Sequence, residues 1–431
     1  MGRQKLVLFT LVFAALSFGV AACGDDDDDD GGAGETSLEL TIGDSVPLSG
    51  DLADFGPPGQ KAADVADGVI QDAISEAGVD HTVTLVHEDN CGGADQTCAV
   101  QAARKMVESD GASCITGAWA SADTLPTAES VAIPDQVVLI SPASTSDEIT
   151  GLEDDGLVSR TSPPDSFQGP TLSEFLVEKA LGQAEGATVN VGARNDAYGT
   201  GLADTFSAAW EAAGGQVGEE VVYDVKLPNY DTEAEQLVSG NPDGLVIVDF
   251  PETYNKVGPA LVRAGFDPKT TFVTDGLISG DLAEGAGADA VNGLRGTAPG
   301  VPDGDPSEEA FDALFTETEP ADVDRQTFDA QNFDAVILCY LAAVAAGSTE
   351  GADMAEHVVD ISAPGGTEYT FEELPEAIEA LQNGDDIDYQ GASGPIDMDE
   401  NGDATAGVYD IYEFTDGVPE PTDEIEVAQP E

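Results

Sequence analysis

The feature that most constrains the fold of this chain is an alternation of predicted strands and helices, which runs along the sequence twice. In the first run, apolar and β-prone strands are predicted at 38–46, 82–87, 113–117 and 137–140, with helices at 60–77, 99–107 and 124–132 between them. Strands that alternate with helices in this way favour a parallel sheet with helices on both faces.

A second run of the same kind follows. Strands predicted at 189–191, 219–223, 244–249 and 271–274 alternate with helices at 167–180, 202–213, 230–238 and 254–264. The stretch 244–249 is almost continuously apolar, which is typical of a strand buried on both faces of its sheet. Helices at 333–346 and 374–383 then return the chain to the first unit. A hairpin is predicted next, in which 394–398 and 407–414 flank a turn at 400–403.

This order predicts an α/β fold with two doubly wound parallel-sheet lobes joined by a hinge. Lobe 1 is assigned residues 38–163 and 299–398, and lobe 2 is assigned residues 164–298 and 399–425. About 390 residues follow the N-terminal segment, which is too many for one small core and enough for two. Folds of this kind bind ligands at the carboxyl ends of their strands, so we expect a central ligand cleft that closes about the hinge.

The N-terminus carries the pattern of an export signal. A basic start with Arg3 and Lys5 precedes an uncharged apolar run at 6–20, and two small residues stand directly before Cys23. This pattern is typical of a cleaved signal peptide, here 1–22. The small pair before a cysteine resembles the lipobox of bacterial lipoproteins, which implies a lipidated cysteine and an extracytoplasmic domain anchored to the outer face of the cell membrane. The alternative is an ordinary signal peptide with an incidental cysteine.

An acidic segment at 23–37 follows the signal and contains six consecutive aspartates. A block of like charges repels itself, so this segment is predicted to be disordered and to hold the folded domain off the membrane. No later stretch approaches a membrane span of about 20 apolar residues. The lipid is therefore the expected membrane contact.

The chain is strongly acidic: 85 acidic residues stand against 14 basic ones, a formal net charge of −71. Nucleic acid is thereby excluded as a partner and anionic membrane surfaces are disfavoured, because phosphate binding requires clustered Lys and Arg. Self-repulsion strains the compact state, and salt relieves it because the Debye length falls to about 3 Å at 1 M salt. Our hypothesis is that the protein works in a saline environment; the alternative is that the acidity only keeps an exported protein soluble.

Four cysteines follow Cys23, and an exported chain can form disulfides. Cys91 and Cys98 stand on either side of a short glycine-rich loop, which favours a local bridge, whereas Cys98 with Cys114 is the rival pairing. Cys339 lies in an apolar segment and is interpreted as a small buried hydrophobe. No pair of cysteines has zinc-ligand spacing and the three histidines are scattered, so neither a metal nor a cofactor is expected.

Six segments near predicted strand ends carry a resemblance to a known family. They are Ile42-Gly43-Asp44-Ser45-Val46-Pro47-Leu48-Ser49-Gly50, Glu88-Asp89-Asn90-Cys91, Gly117-Ala118-Trp119-Ala120-Ser121, Leu139-Ile140-Ser141-Pro142-Ala143-Ser144-Thr145, Arg194-Asn195-Asp196-Ala197-Tyr198-Gly199 and Asp275-Gly276. All six resemble, in the same order, segments of the type I periplasmic binding proteins, specifically the branched-chain amino acid binding proteins of ABC transporters. The likeness runs from about residue 38 to residue 415.

The resemblance implies an α-amino acid ligand held between the lobes. Ser121, the Ala143 backbone and Thr145 would bind its carboxylate and part of its ammonium group, since hydroxyls and backbone N–H groups near helix starts bind carboxylates. Asp275 would face the ammonium group across the cleft, although it is one methylene shorter than the glutamate common in the family. Tyr198 would close over the ligand from lobe 2.

The resemblance also implies an aromatic pocket for the ligand side chain, lined by Phe55, Trp119, Tyr198, Phe250 and Phe328. Trp119 stands where the family often has a smaller apolar residue, so its indole either shrinks the pocket or stacks on the ligand. The family's disulfide is altered here: Cys91 matches one partner, but Ala120 takes the place of the other, and a bridge from Cys91 to Cys98 would be a local substitute.

The function implied by this resemblance is that of a monomeric solute-binding lipoprotein of an ABC importer. Its ligand would be a branched-chain-like amino acid or a related small carboxylate or amide, delivered to a membrane permease. An enzyme is not expected, because the sequence has no Gly-x-Ser-x-Gly elbow, no His-Glu-x-x-His motif and no phosphate loop. A ligand-sensing receptor that signals through a membrane partner is the alternative, and the sequence leaves the exact ligand open.

Overall fold

The computed structural model of the chain describes residues 37–302 and 304–429. The predicted signal peptide, Cys23 and the acidic segment up to residue 36 lie outside the described residues.

The first strands of the chain form a five-stranded parallel sheet in the order β2-β1-β3-β4-β5. These strands are β1 Leu38–Val46, β2 His81–Asp89, β3 Cys114–Thr116, β4 Val138–Ser141 and β5 Val158–Arg160. Every residue of β3, β4 and β5 is buried. Burial on both faces explains why these strands lack the apolar-polar alternation of a half-exposed strand.

The second half of the chain builds a seven-stranded sheet and a small three-stranded one. The strands are β6 Thr188–Arg194, β7 Gln216–Tyr223, β8 Gly244–Val248, β9 Thr271–Val273, β10 Arg295–Gly300, β11 Thr367–Thr370, β12 Ile387–Gly391, β13 Gly394–Pro395, β14 Ala406–Thr415 and β15 Val418–Ala428. The large sheet has the order β15-β14-β10-β9-β8-β6-β7, and β11, β12 and β13 form the small one. In the large sheet β6 to β10 are parallel, whereas β14 and β15 are antiparallel to their neighbours.

Helices cover both faces of the two main sheets. Within the described residues the α-helices are α1 Gly56–Ala77, α2 Gln96–Lys105, α3 Ser121–Thr127, α4 Ile133–Asp135, α5 Asp165–Phe175, α6 Ala197–Ala212, α7 Asp231–Leu237, α8 Pro251–Ala264, α9 Leu282–Ala286, α10 Ala288–Val291, α11 Pro306–Glu317, α12 Asp329–Ala346, α13 Gly351–Val358 and α14 Leu374–Asn383. The buried apolar residues form four clusters: two lie in the first lobe, one lies in the second, and one extends from the second sheet to Phe55 and Trp119 of the first lobe. The two-lobed, doubly wound α/β architecture predicted from the sequence is confirmed.

The helix α1 begins beside the cleft, directly after Phe55, and its ends follow from its sequence. A proline stands in its first turn, where the missing N–H would have no helical partner in any case. At the other end Gly78 takes a left-handed conformation with φ 71°, and its N–H donates to the Ile74 carbonyl. The helix thus places Phe55 and Gly59 at the end of the first lobe that faces the second.

The chain crosses between the lobes three times: after β5, after β10 and between β13 and β14. A buried ion pair joins the first and third crossings, with Arg160 Nε 2.6 Å from Asp403 Oδ1. The strand Arg295–Gly300 belongs wholly to the second sheet. The lobe boundary predicted between 298 and 299 therefore falls inside this strand.

The predicted hairpin near the end of the chain is wrong. The segment 407–414 does not form a hairpin with 394–398: β14 pairs instead with β15 across Asp416 and Gly417, and only Met398 and Ala404 bridge across the predicted turn. The turn docks on lobe 1, where the Gly402 carbonyl accepts a hydrogen bond from the Arg160 N–H at 3.0 Å. This contact holds the turn at the hinge and separates the two flanking segments.

The four cysteines in the described part of the chain form two disulfides. One joins Cys91 and Cys98 within the glycine-rich loop. The other joins Cys114 of β3 to Cys339 of α12, so Cys339 is not the free buried thiol that its apolar surroundings predicted. The second bridge ties the central strand of lobe 1 to its most buried helix.

Within the described ranges, no single helix has the length and apolarity needed to cross a bilayer. One pair of segments meets that requirement when taken together, by length and composition only: Asp329–Ala346 and Gly351–Ser362, which are bent by 106° relative to each other.

Candidate ligand-binding site

Residues from both lobes enclose a small cavity between the two main sheets. Its volume is about 10 Å³, about the room that one water molecule needs, so the cavity is almost filled by its own lining. Most of its walls are loops that follow the carboxyl ends of parallel strands, the usual position of binding sites in such folds. The lining residues are Leu52, Phe55, Trp119, Ser121, Ala143, Tyr198, Phe250, Asp275, Gly276 and Phe328.

The structure brings together the residues singled out in the sequence. All of them except Thr145 line the cavity. Thr145 is fully buried two residues beyond Ala143, in the loop that follows β4. The prediction that these residues bind a ligand remains a prediction, since the structure gives their positions and not their occupant.

Lobe 1 presents hydroxyl groups at the cavity. Ser121 begins α3, and its Oγ accepts a hydrogen bond from the Ser146 N–H at 3.2 Å, which ties the start of this helix to the loop after β4. Thr145 Oγ1 lies in the same loop and is buried without a hydrogen-bond partner. Leaving a buried polar group unpaired costs about 1–3 kcal/mol. A ligand with a polar head group can supply the partner that this hydroxyl lacks in the protein.

Asp165 is a buried carboxyl group next to this site, outside the cavity lining, that the sequence analysis missed. It begins α5, and its backbone N–H donates to the Thr145 carbonyl at 2.7 Å, which places the two side chains together. Both carboxyl oxygens are buried and make no hydrogen bond of normal geometry, although the Thr145 hydroxyl lies near enough to favour the ionised carboxylate. The available signal was its position at the start of a helix after a strand, a position that Ser121 shares.

Burial dominates the ionisation of Asp165. It raises the pKa of this carboxyl well above its ordinary value. The Thr145 hydroxyl lowers this pKa in part, and the nearby Asp275 raises it further. A cationic group bound between these carboxyls would favour their ionised forms.

Lobe 2 presents a tyrosine and a carboxyl group that are bonded to each other. The Tyr198 hydroxyl donates to Asp275 Oδ1 at 2.9 Å and accepts a hydrogen bond from the Gly276 N–H at 3.2 Å. The Thr274 hydroxyl oxygen lies 2.7 Å from the Tyr198 hydroxyl oxygen. Burial raises the pKa of Asp275 to about 6, even though the Tyr198 hydroxyl favours the ionised form. This carboxyl therefore titrates close to neutral pH.

The rest of the lining is apolar, and Trp119 is its largest member. The indole lies against Gly59 of α1: a Cβ at position 59 would stand 2.4 Å from Trp119 Cζ2 and 2.6 Å from Cη2. The wide ring fits there only because residue 59 is glycine. Trp119 Nε1 is buried and has no hydrogen-bond partner.

Phe328 closes the cavity from the start of α12 and has a strained backbone. Its φ is 74°, in the left-handed region that bulky side chains rarely adopt. Such a conformation costs about 1–3 kcal/mol and is retained where the surrounding structure requires it, frequently at binding sites. The strain thus supports a functional role for this part of the lining.

The arrangement as a whole suits a small zwitterion with an apolar side chain. Hydroxyl and backbone groups lie on the lobe 1 side, two carboxyl groups lie at the lobe boundary and in lobe 2, and aromatic rings surround the remaining space. Among residues 37–302 and 304–429, no cluster of three or more His, Cys, Asp or Glu side chains could hold a metal ion.

Comparison with known proteins shows the same architecture. The profile of the family described as "Periplasmic binding protein" matches residues 39–417. The Leu/Ile/Val-binding protein homolog 3 of Brucella melitensis biotype 1 is 26% identical over 384 residues, which cover 88% of this chain and 92% of that protein. BasB of Halobacterium salinarum, the substrate-binding protein of a chemotactic signal transduction system, is 24% identical over 382 residues, which cover 88% of this chain and 87% of that protein.

A solved structure adds the fold-level likeness. The crystal structure of the branched-chain amino acid transporter substrate-binding protein LivJ from Streptococcus pneumoniae, in complex with isoleucine, superposes with a TM-score of 0.71 at 19% identity. The alignment covers 91% of this chain and 100% of that chain.

Proposed function

The chain belongs to the periplasmic binding protein family, in the Leu/Ile/Val-binding group, and on that premise we propose that it captures a small α-amino acid with an aliphatic side chain for an ABC importer. It is a binding protein rather than an enzyme. The observation that carries the proposal is that Asp275 lies in the wall of one small aromatic cavity and that Asp165 is a second buried carboxyl group close enough to interact with it. Buried carboxyl groups without cationic partners in contact are complementary to an ammonium group.

Each part of such a ligand has a matching group. The Ser121 hydroxyl and the backbone N–H groups of the loop at Ala143 bind the carboxylate. The ammonium group donates hydrogen bonds to the Thr145 hydroxyl and to the carboxylates of Asp165 and Asp275. Charge-assisted hydrogen bonds of this kind contribute about 1.5–3 kcal/mol each. The side chain fills the space among the rings.

Binding on this account proceeds through closure of the lobes. The ligand first meets the hydroxyl groups of lobe 1, and Tyr198 and Asp275 of lobe 2 then close over it. Since both sets of contacts exist only in the closed form, the ligand shifts the population towards closure. The closed monomer delivers its ligand to a membrane permease, and a lipid on Cys23 keeps the protein at the outer face of the cell membrane.

A sensing role is the second candidate. It is favoured by the similarity to BasB, which acts in a chemotactic signal transduction system. In that case the closed form would be recognised by a signalling partner in the membrane. A pull-down from detergent-solubilised membranes with the ligand-bound chain separates the two roles, since one recovers a permease and the other a signalling protein.

The test of the proposed site is calorimetric titration of the full chain with valine, leucine and isoleucine. Asp275→Ala is expected to lower the affinity at least tenfold, about 1.4 kcal/mol, because the ammonium group loses a charged partner. The matched control is Asp281→Ala, an exposed aspartate of the same lobe, which is expected to bind as the wild type does. Unchanged affinity in Asp275→Ala, with binding intact in the control, would remove Asp275 from the site.

A further inference from the structure

Arg194 lies at the boundary between the lobes and is fully buried. It is the last residue of β6 in lobe 2, and its Nη2 donates to Asp51 Oδ2 in the loop after β1 of lobe 1 at 2.8 Å. In its own lobe, its Nε donates to Asp196 and its Nη1 lies 3.8 Å from Asp249 Oδ1. One guanidinium therefore contacts two carboxylates of lobe 2 and one of lobe 1.

The same guanidinium covers the outer face of the aromatic lining. Arg194 Cζ lies 3.7 Å from the centroid of the Phe250 ring. The Phe250 ring stacks on the ring of Tyr198, with centroids 4.9 Å apart and planes 12° from parallel. A guanidinium over an aromatic face is attracted by the ring's quadrupole. Arg194 thus packs against the stack of the two rings, Phe250 and Tyr198, that face the ligand cavity.

The charges around Arg194 make one of its contacts depend on closure. Burial disfavours the charged guanidinium, but the carboxylates of Asp196, Asp249 and Asp51 outweigh this effect and raise the pKa of Arg194. Asp196 and Asp249 belong to lobe 2 and stay with Arg194 when the lobes separate. Asp51 belongs to lobe 1, so its ion pair with Arg194 forms only when the lobes are together.

We propose that Arg194 is a positioning residue that couples the ligand cavity to lobe closure, because it braces the Phe250–Tyr198 stack on one side and binds Asp51 of the opposite lobe on the other. The inference rests on the proposed function, capture of a ligand by closure. A ligand under Tyr198 fixes the ring stack, the stack fixes the guanidinium, and the guanidinium is then aligned with Asp51. When the lobes separate, the Arg194–Asp51 ion pair breaks and the Phe250–Tyr198 stack is released at the same time.

The test is the kinetics of ligand release in Asp51→Asn, measured on the full chain with leucine as the probe. Asp51→Asn keeps the shape of the side chain but removes its charge, and it leaves Arg194 its two partners in lobe 2, so the fold is retained. Stopped-flow fluorescence reports binding directly, since the chain has two tryptophans and one of them, Trp119, lines the cavity.

We expect Asp51→Asn to dissociate from leucine about tenfold faster than the wild type, with an unchanged association rate, because the first encounter precedes formation of the ion pair. The charge-matched control, Asp72→Asn on the exposed face of α1, is expected to behave as the wild type. Arg194→Lys is expected to release ligand faster as well, since lysine keeps the charge but lacks the planar fork that covers Phe250.

Each outcome of this experiment has one meaning. A dissociation rate within twofold of the wild type in Asp51→Asn overturns the inference. Slower association together with faster dissociation and a lower thermal midpoint also overturns it, since that combination indicates damage to the fold. If the wild type binds no amino acid, the proposed function fails, a result distinct from failure of the coupling.

Discussion

Replacing Gly59 by alanine tests the packing that sets the size of the ligand cavity. Alanine would place a Cβ 2.4 Å from Trp119 Cζ2, whereas carbon atoms in contact normally lie about 3.5–4.0 Å apart. The indole must therefore retreat by about 1 Å. Since Trp119 stands between α1 and the cavity, the retreat moves the ring into the cavity.

Two opposing terms set the effect of Gly59→Ala on stability. Overpacking a buried site costs about 1–3 kcal/mol, and replacing a helical glycine by alanine recovers about 0.5–1 kcal/mol. The free energy of unfolding is therefore expected to fall by up to about 2.5 kcal/mol. The affinity for leucine is expected to fall at least tenfold, because the ring occupies ligand space.

The assays are urea unfolding and calorimetric titration, with Gly68→Ala as the control. Gly68 lies in the same helix, but a Cβ there meets nothing within 4 Å. This control is expected to be more stable than the wild type by about 0.5–1 kcal/mol and to bind leucine normally. If Gly59→Ala matches the control in both stability and affinity, the indole does not lie against Gly59 and the reasoning is refuted.

Three further predictions concern pH, salt and the long disulfide. Affinity for leucine is expected to be about tenfold weaker at pH 5 than at pH 7, because the ligand binds the ionised form of Asp275, whose pKa burial raises to about 6. Binding therefore releases protons, and calorimetry in buffers of different ionisation enthalpy detects this release. The urea midpoint is expected to rise from 0.1 M to about 2 M salt because screening relieves the formal charge of −71; an unchanged midpoint contradicts the saline hypothesis. Replacing Cys114 and Cys339 together by serine is expected to cost about 2–5 kcal/mol of unfolding free energy, since this bridge spans 225 residues. The control is the same replacement at Cys91 and Cys98, whose bridge spans only 7 residues.

The fold could be predicted because its signals are local. Each strand–helix alternation is visible within about 30 residues, and a repeated alternation leaves few topologies. The site residues at strand ends followed from the same rule, since parallel strands bring their carboxyl ends to one edge. The roles of Ser121 and Asp275 came from the resemblance to the periplasmic binding proteins, whose ligand-binding positions they match.

The features that were missed depend on contacts between distant segments. Arg194 stood inside a motif that the sequence analysis had noted, but its partner Asp51 lies 143 residues earlier in the chain. The role of Asp165 depends on its burial beside Thr145 and Asp275, which no local pattern reports. Cys339 looked like a buried apolar residue because its neighbours are apolar, and only the approach of α12 to β3 identifies its partner.

The predicted hairpin failed for a related reason. Asn401 and Gly402 have the composition of a hairpin turn, and the chain does turn there, with the Gly402 N–H donating to the Asp399 carbonyl at 3.0 Å. The Arg160–Asp403 ion pair holds this turn at the hinge, so the strand after it pairs in the other sheet. Turn chemistry predicted the reversal of the chain but not the partner of the next strand.

The most direct test of the central claim is a pair of calorimetric titrations of the full chain, one with leucine and one with 4-methylpentanoic acid, which is leucine without its amino group. The account predicts that leucine binds and that the acid binds at least a hundredfold more weakly, because Asp165 and Asp275 then face no cation. Equal affinity for the two compounds, or binding of the acid alone, would contradict the assignment of these carboxyl groups to an ammonium group.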